Sequence, residues 1–226
     1  GEREVGEEFG VRGKDLAKLV KVCGLTRKED VLACEQLGVD FIGFIFHPQS
    51  PRCVSAEWVG SLLRVSRARR VGVFVDQGTD EILNIMQKAD LDLAQVHGNQ
   101  DTGQCRDIGA QRVIKVFWPE RYAKKEEFQA DLDRFYPVCS YFLMDSGTKG
   151  GGHNQVLGTS MTGLMSWNRP WILAGGLSAE NVQNLIQKLQ PDGIDLNSGV
   201  ENSPGIKNRE LLQQALQNIK EYKEGI

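Results

Sequence analysis

Pro170-Trp171-Ile172-Leu173-Ala174-Gly175-Gly176-Leu177-Ser178-Ala179-Glu180-Asn181 is the stretch that decides the fold, because an apolar run stops there at two glycines and a helical pattern begins. Ile172 to Ala174 read as a strand buried on both faces, since nothing polar interrupts them. Gly175 and Gly176 accept positive φ and let a ligand approach the backbone. Ser178 is the expected N-cap of a helix carrying Val182, Leu185, Ile186 and Leu189. A strand, a glycine turn and a helix N-terminus together present unpaired N–H groups to an anion such as phosphate. Without a ligand, the same residues make an ordinary tight βα turn.

A second turn of this kind follows in Gly193-Ile194-Asp195-Leu196-Asn197-Ser198-Gly199-Val200-Glu201, again a short strand ending in small polar residues and a glycine. Two such turns near the C-terminus match the last two strands of a (β/α)8 barrel, whose phosphate sites commonly lie in the loops after strands seven and eight. Working back, strand candidates recur at Leu19 to Cys23, Phe41 to Phe46, Val71 to Val75, Leu91 to Val96, Val113 to Phe117 and Tyr141 to Met144. With Trp171 to Ala174 and Gly193 to Leu196 they make eight. Amphipathic patterns lie between them, such as Val31, Cys34, Leu37 and Ile82, Ile85, Met86. This alternation demands a parallel sheet. Eight units favour a closed α/β TIM barrel over an open sheet, and no G-x-G-x-x-G follows the first strand. The sixth unit, rich in Gly, Thr and Ser from Gly147 to Gly163, is expected to be a loop with a short helix.

The 226 residues suit one such barrel. Residues 1–17 are acidic and glycine-punctuated and read as an extension or linker, leaving 18–226 as the single barrel domain. Hydrophobic residues at 40% and charged residues at 25%, with a net charge of −3, point to neither nucleic acid nor an acidic membrane. Arg64, Arg67, Arg69 and Arg70 form the one basic patch and read as the solvated end of a helix. No apolar run approaches the roughly 18 residues of a membrane span, and no secretory signal opens the chain. Cys23, Cys34, Cys53, Cys105 and Cys139 are odd in number and contain no C-x-x-C pair, which argues against a disulfide framework or a zinc site. A reducing cytoplasm is the expected compartment.

In a barrel the reacting groups stand at the C-terminal ends of strands. Those ends fall at Cys23, His47, Asp76, His97, Trp118, Asp145, Gly175 and Asn197, give or take a residue or two. Cys23 is either a small core residue or a thiolate assisted by a helix start that Thr26 would cap. Asp145 ends an apolar run on a glycine-rich loop and is either a general acid with a raised pKa or a turn-forming residue. Arg52 is either a bidentate clasp for a carboxylate or a surface arginine. His97 is either a ligand contact or a hydrogen-bonded packing residue.

Taken together, these stretches resemble phosphoribosylanthranilate isomerase, a barrel enzyme of tryptophan biosynthesis. The resemblance lies in Lys21-Val-Cys-Gly-Leu-Thr-Arg27, Gly43-Phe-Ile-Phe-His-Pro-Gln-Ser-Pro-Arg52, Val71-Gly-Val-Phe-Val75, Gln95-Val-His-Gly98, Leu173-Ala-Gly-Gly-Leu177, Asp195-Leu-Asn-Ser-Gly-Val-Glu201 and Pro204-Gly-Ile-Lys207. It implies Cys23 as general base, Asp145 as general acid and Arg52 as the contact for the anthranilate carboxylate. It implies phosphate contacts at Gly175, Gly176, Asn197, Ser198 and Gly199. His97 joins these as a substrate-binding candidate.

The implied reaction is a cofactor-independent, metal-free Amadori rearrangement of a phosphorylated small molecule. The spelling of residues 21–27 and 50–54 looks most like versions fused behind indole-glycerol-phosphate synthase, of whose linker residues 1–17 would be a remnant. One departure is His153, in Lys149-Gly-Gly-Gly-His-Asn-Gln-Val-Leu-Gly158, where the family's loop carries glycine and then an aromatic residue. Two other readings stand beside this one. One is the histidine-pathway isomerase, which performs the same rearrangement on a larger bis-phosphorylated substrate with an Asp at each of two strand ends. The other is a non-catalytic phosphate-binding barrel, which needs neither Cys23 nor Asp145.

Overall fold

The computed structural model describes residues 18–146 and 161–222. Eight strands close into a parallel barrel in sequence order: β1 (Leu19–Val22), β2 (Phe41–Ile45), β3 (Arg69–Phe74), β4 (Leu93–Val96), β5 (Val113–Phe117), β6 (Tyr141–Asp145), β7 (Trp171–Ala174) and β8 (Gly193–Leu196). Closure comes from β1 pairing with β8, where Lys21 stands opposite Asp195. All eight expected strands are present, with ends shifted by no more than two residues. The (β/α)8 architecture is therefore as expected. The expectations for residues 1–17, for Gly147 to Ser160 in the sixth unit and for His153 lie outside the described residues.

Strand alternation sorts the side chains into two layers. Phe41, Val71, Leu93, Ile114, Val116, Leu143 and Ile172 fill the barrel interior. Val22, Ile42, Phe74, Val96, Phe117 and Phe142 face the helices. Each apolar side chain so enclosed contributes about 1.5 to 3 kcal/mol relative to exposure. The helices start where the sequence supplies caps. Ser55 accepts from the Trp58 amide at the start of Ala56–Ser61, Asp101 and Gln104 form a capping box at Thr102–Ile108, and Asn208 accepts from the Leu211 amide at Arg209–Glu221.

Two expectations fail here for physical reasons. Ser178 is not the N-cap, because the helix runs over Val182–Leu189 and starts after Asn181. The Asn181 side chain accepts from the Ser178 amide and donates to the Gly176 carbonyl, so a side-chain-bridged turn occupies what would have been the first helical turn. Nor is the arginine cluster a solvated helix end. Arg69 and Arg70 belong to β3, and Arg70 is 1% exposed. Its guanidinium donates to the carbonyls of Leu62 at 2.6 Å and Val59 at 3.1 Å, at a helix end where the Leu62 amide already donates to Val59. Arg64 reaches Asp90 at 2.8 Å and Asp92 at 2.9 Å on the surface.

Candidate active site

Every expected strand-end residue stands at the same rim of the barrel. Cys23 follows β1 directly, is 4% exposed and donates its amide to the Leu196 carbonyl on β8. The thiol has room because β2 offers Gly43 beside it; a Cβ there would lie 2.8 Å from Cys23 Sγ. Gly24 has φ +75°, and a Cβ on it would lie 2.6 Å from both Arg52 Cδ and Asn197 Oδ1. Both side chains therefore close over the residue next to the thiol.

Arg52 is neither a surface arginine nor an unengaged clasp. Its Nη2 lies 2.6 Å from Glu201 Oε1 and its Nε 3.1 Å from both carboxylate oxygens. Glu201 begins a hairpin after β8, where β9 (Glu201–Ser203) pairs antiparallel with β10 (Ile206–Lys207). Lys207 Nζ reaches Glu201 Oε2 at 3.1 Å and Asn197 Oδ1 at 3.0 Å, and the Gly205 amide donates to Glu201. Burial works to raise the Glu201 carboxyl, but Arg52, Lys207 and the Gly205 N–H outweigh it and hold the group below its ordinary value. The result is an oriented guanidinium whose Nη1 edge makes no bond among the described residues.

One layer below the thiol, Lys21 Nζ lies 2.9 Å from Asp195 Oδ2, with the two side chains 0% and 7% exposed. Burial opposes the lysine's charge, yet Asp195 and Cys23 hold its ammonium above the ordinary value. Burial also pushes the Cys23 thiol up, against the pull of Lys21 and Lys207. This corrects the expectation of a thiol assisted by a helix start. The first helix runs over Lys28–Gln36 with Arg27 at its N-cap and no side-chain cap, and the Thr26 hydroxyl instead donates to the Gly205 carbonyl.

Across the barrel, Asp145 ends β6 and its Oδ2 lies 3.5 Å from His97 Nε2. Gln95 Nε2 stands 3.2 Å from His97 Nδ1; with the amide donating, the ring proton sits on Nε2, toward Asp145. Trp118 meets the His97 ring edge to face at 5.2 Å. Beside them opens a cavity of about 580 Å³, lined by Val75, Gln77, His97, Gln100, Trp118 and Arg121 among others. His97 is thus both a packed, hydrogen-bonded residue and part of a cavity wall.

Gly175 and Gly176 have φ +97° and +66°, as the strand-end turn requires. A Cβ on Gly175 would lie 3.0 Å from Asp145 Oδ1, so the glycine turn lies against the candidate acid. A Cβ on Gly199 would collide with the Leu177 carbonyl, so the turns after β7 and β8 touch through their backbones. Ser198–Val200 forms a single 3-10 turn, whose ladder leaves the Ser198 and Gly199 amides without partners of its own.

Sequence reading missed Lys21, Asp195, Glu201, Lys207 and Gln95 as parts of this site, although all five lie within the stretches quoted above. Parity would have found three of them. Lys21 alternates with Cys23, Asp195 with Asn197 and Gln95 with His97, so a polar residue two positions before a strand end points into the barrel beneath the site.

Comparison with known proteins gives the same architecture and more. A family model for N-(5'phosphoribosyl)anthranilate (PRA) isomerase matches residues 20–218. The N-(5'-phosphoribosyl)anthranilate isomerase of Maridesulfovibrio salexigens is 50% identical over 204 residues, 90% of this chain and 99% of the relative. The crystal structure of phosphoribosyl anthranilate isomerase from Thermotoga maritima superposes with a TM-score of 0.77 at 30% identity, over 90% of this chain and 99% of that one. A phosphoribosyl anthranilate isomerase in complex with reduced 1-(o-carboxyphenylamino)-1-deoxyribulose 5-phosphate gives a TM-score of 0.72 at 28% identity, with coverage of 90% and 99%.

Proposed function

The chain belongs to the N-(5'-phosphoribosyl)anthranilate isomerase family, and we propose that Cys23 and Asp145 divide the two proton transfers of its reaction. That reaction is the Amadori rearrangement of N-(5'-phosphoribosyl)anthranilate to 1-(2-carboxyphenylamino)-1-deoxyribulose 5-phosphate, a step of tryptophan biosynthesis. The observation that carries the division of roles is positional. The anion-binding turns of β7 and β8 lie between β6, which ends in Asp145, and β1, which precedes Cys23. A sugar phosphate seated on Gly175, Gly176, Asn197, Ser198 and Gly199 then extends its ribose between the two groups.

Asp145 gives its proton to the ring oxygen as the C1'–O bond breaks, leaving an iminium between C1' and the anthranilate nitrogen. The iminium acidifies the C2' proton, which Cys23 takes as thiolate, and the electron pair of that C–H bond forms the enolamine that tautomerises to the amino-ketose. The iminium supplies the electron sink, so the sequence of steps proceeds without metal or organic cofactor. His97, with Nε2–H toward Asp145, orients that carboxyl. Arg52 receives the anthranilate carboxylate on the edge Glu201 leaves open.

Strand one ends in a thiol rather than a carboxylate, which supports this reading over the histidine-pathway isomerase. The test is turnover of freshly generated N-(5'-phosphoribosyl)anthranilate, followed by the loss of anthranilate fluorescence. Turnover is expected, and its absence, with phosphate still binding at the two turns, would leave a binding barrel instead.

None of the described helices is long and apolar enough to cross a membrane. A cytoplasmic setting is supported by five free thiols in the described chain and is tested by fractionation of cells producing it. A linkage to indole-glycerol-phosphate synthase is supported only by the spelling of residues 21–27 and 50–54. The Maridesulfovibrio relative, matched over 99% of its length, carries no such partner domain. Reading the genomic frame upstream of Gly1 tests it.

A further inference from the structure

A charged pair inside a barrel whose interior is mostly apolar calls for a reason. Stability alone does not require Lys21 and Asp195, since apolar residues of similar volume commonly replace a buried ion pair at no loss. Their position supplies the reason. Lys21 and Cys23 project from the same side of one extended segment, so the ammonium stands one layer below the thiol. Asp195 is its partner in register on β8 and holds it at 2.9 Å.

The groups facing the thiol can be taken element by element. From β1 comes Lys21, from β8 Asp195, from the loop after β2 Arg52, and from the hairpin after β8 Lys207, while β2 itself presents only Gly43. Glu201 joins Arg52 and Lys207 from behind. Three cations thus stand against two carboxylates, so the surroundings of the thiol favour its anionic form over what burial alone would allow.

We propose that Lys21, held in place by Asp195, is a positioning residue that stabilises the Cys23 thiolate and so sets the pH at which the base becomes available. The proposal rests on the reading of Cys23 as the base. Burial raises the thiol, and among the groups around it Lys21 is the strongest influence in the other direction, while Asp195 opposes it. The two members of the pair therefore act on the thiol with opposite signs.

That opposition is the test. Thiolate absorbance at 240 nm is titrated upward from roughly pH 7 to 11, because burial places the Cys23 midpoint above the ordinary thiol value of about 8.5, in a Cys53→Ser background, with the same protein carrying Cys23→Ser as the blank. Burial pushes Cys34 and Cys139 up to about 12 and Cys105 up to about 11, and what these thiols contribute at the alkaline end is removed by the blank. Lys21→Met is expected to move the midpoint up by at least about one pH unit, a tenfold loss of thiolate below it, and Asp195→Asn is expected to move it down. The thiol-dependent limb of kcat/KM should follow in both, with KM little changed. Unmoved midpoints, or shifts of the same sign in both variants, would overturn the proposal. Should Lys21→Met fail to fold, the downward shift in Asp195→Asn decides alone. Midpoints that shift while the kcat/KM limb stays put would retain the influence of Lys21 on the thiol but remove Cys23 from the role of base.

Discussion

Lys21 and Arg70 are both sealed in this molecule, at 0% and 1% exposure, yet they are held in different ways. Arg70 points from β3 into the helix layer and donates to the Val59 and Leu62 carbonyls. It ties down the end of the preceding helix, and its part ends with the fold. Lys21 points the other way, into the barrel, and its hydrogen-bonding partner at 2.9 Å is the carboxylate of Asp195. Its charge stands directly below a thiol at the rim. The comparison teaches that burial of a cation does not assign a role. Strand parity and distance from the C-terminal rim do, because only the inward face near that rim meets a ligand.

If the rim carries the chemistry, the largest effect should come from its acid. Asp145→Asn keeps the shape but removes the proton donor, so kcat should fall by roughly 10² to 10⁴ while a product analogue still binds within a few-fold. Steady-state rates and fluorescence titration measure the two separately, and unchanged kcat would remove Asp145 from the reaction. On the other side of the comparison, Arg70→Met should lower stability by about 3 kcal/mol, since it removes buried charged hydrogen bonds to the Leu62 and Val59 carbonyls. Denaturant unfolding reads that loss, with kcat per folded molecule expected to be unchanged; a large fall in kcat would break the distinction between the two cations. Arg52→Ala should weaken substrate binding by about 1.5 to 3 kcal/mol, the range for a charged hydrogen bond, seen as a higher KM. An unchanged KM would show that Arg52 serves only Glu201. Arg64→Ala, which breaks a surface pairing with Asp90 and Asp92, should cost no more than about 1 kcal/mol of stability. A larger loss would mean that the exposed arginine belongs with Arg70 after all.

The fold was legible because barrel strands are enclosed on both faces and so appear as uninterrupted apolar runs. Ile172 to Ala174 and Phe142 to Met144 are of this kind. Cys23, Asp145 and the glycine turns were legible for a related reason, since each follows such a run directly. What stayed hidden depended on partners far along the chain. Nothing local to Ser178 announces that Asn181 will take its amide. Arg70 sits among three other arginines, and its turn from β3 onto helix carbonyls separates it from them. The engagement of Arg52 by Glu201 joins residues 149 positions apart. The same holds for the thiol. Sequence placed a helix start beside Cys23, but that helix begins at Lys28, and burial, with no local sequence signature, governs the group instead.

That reversal sharpens the pH dependence. A raised thiol favours the neutral form, and a carboxyl ordinarily titrates below a thiol, so the productive pair is a minority whose share is level between the two groups, and the thiol marks the alkaline limb of kcat/KM, above the ordinary thiol value of about 8.5. The bell by itself does not assign either limb. Assignment comes from the Cys23→Ser variant, whose hydroxyl cannot ionise near neutrality. Its turnover of freshly made N-(5'-phosphoribosyl)anthranilate is the most direct test of the division of labour between β1 and β6. The expected result is a kcat lower by about 10² or more, with the thiol-dependent limb gone and product-analogue binding retained. A variant keeping more than about a tenth of wild-type kcat, a difference of under roughly 1.4 kcal/mol in the barrier, would contradict the thiolate base.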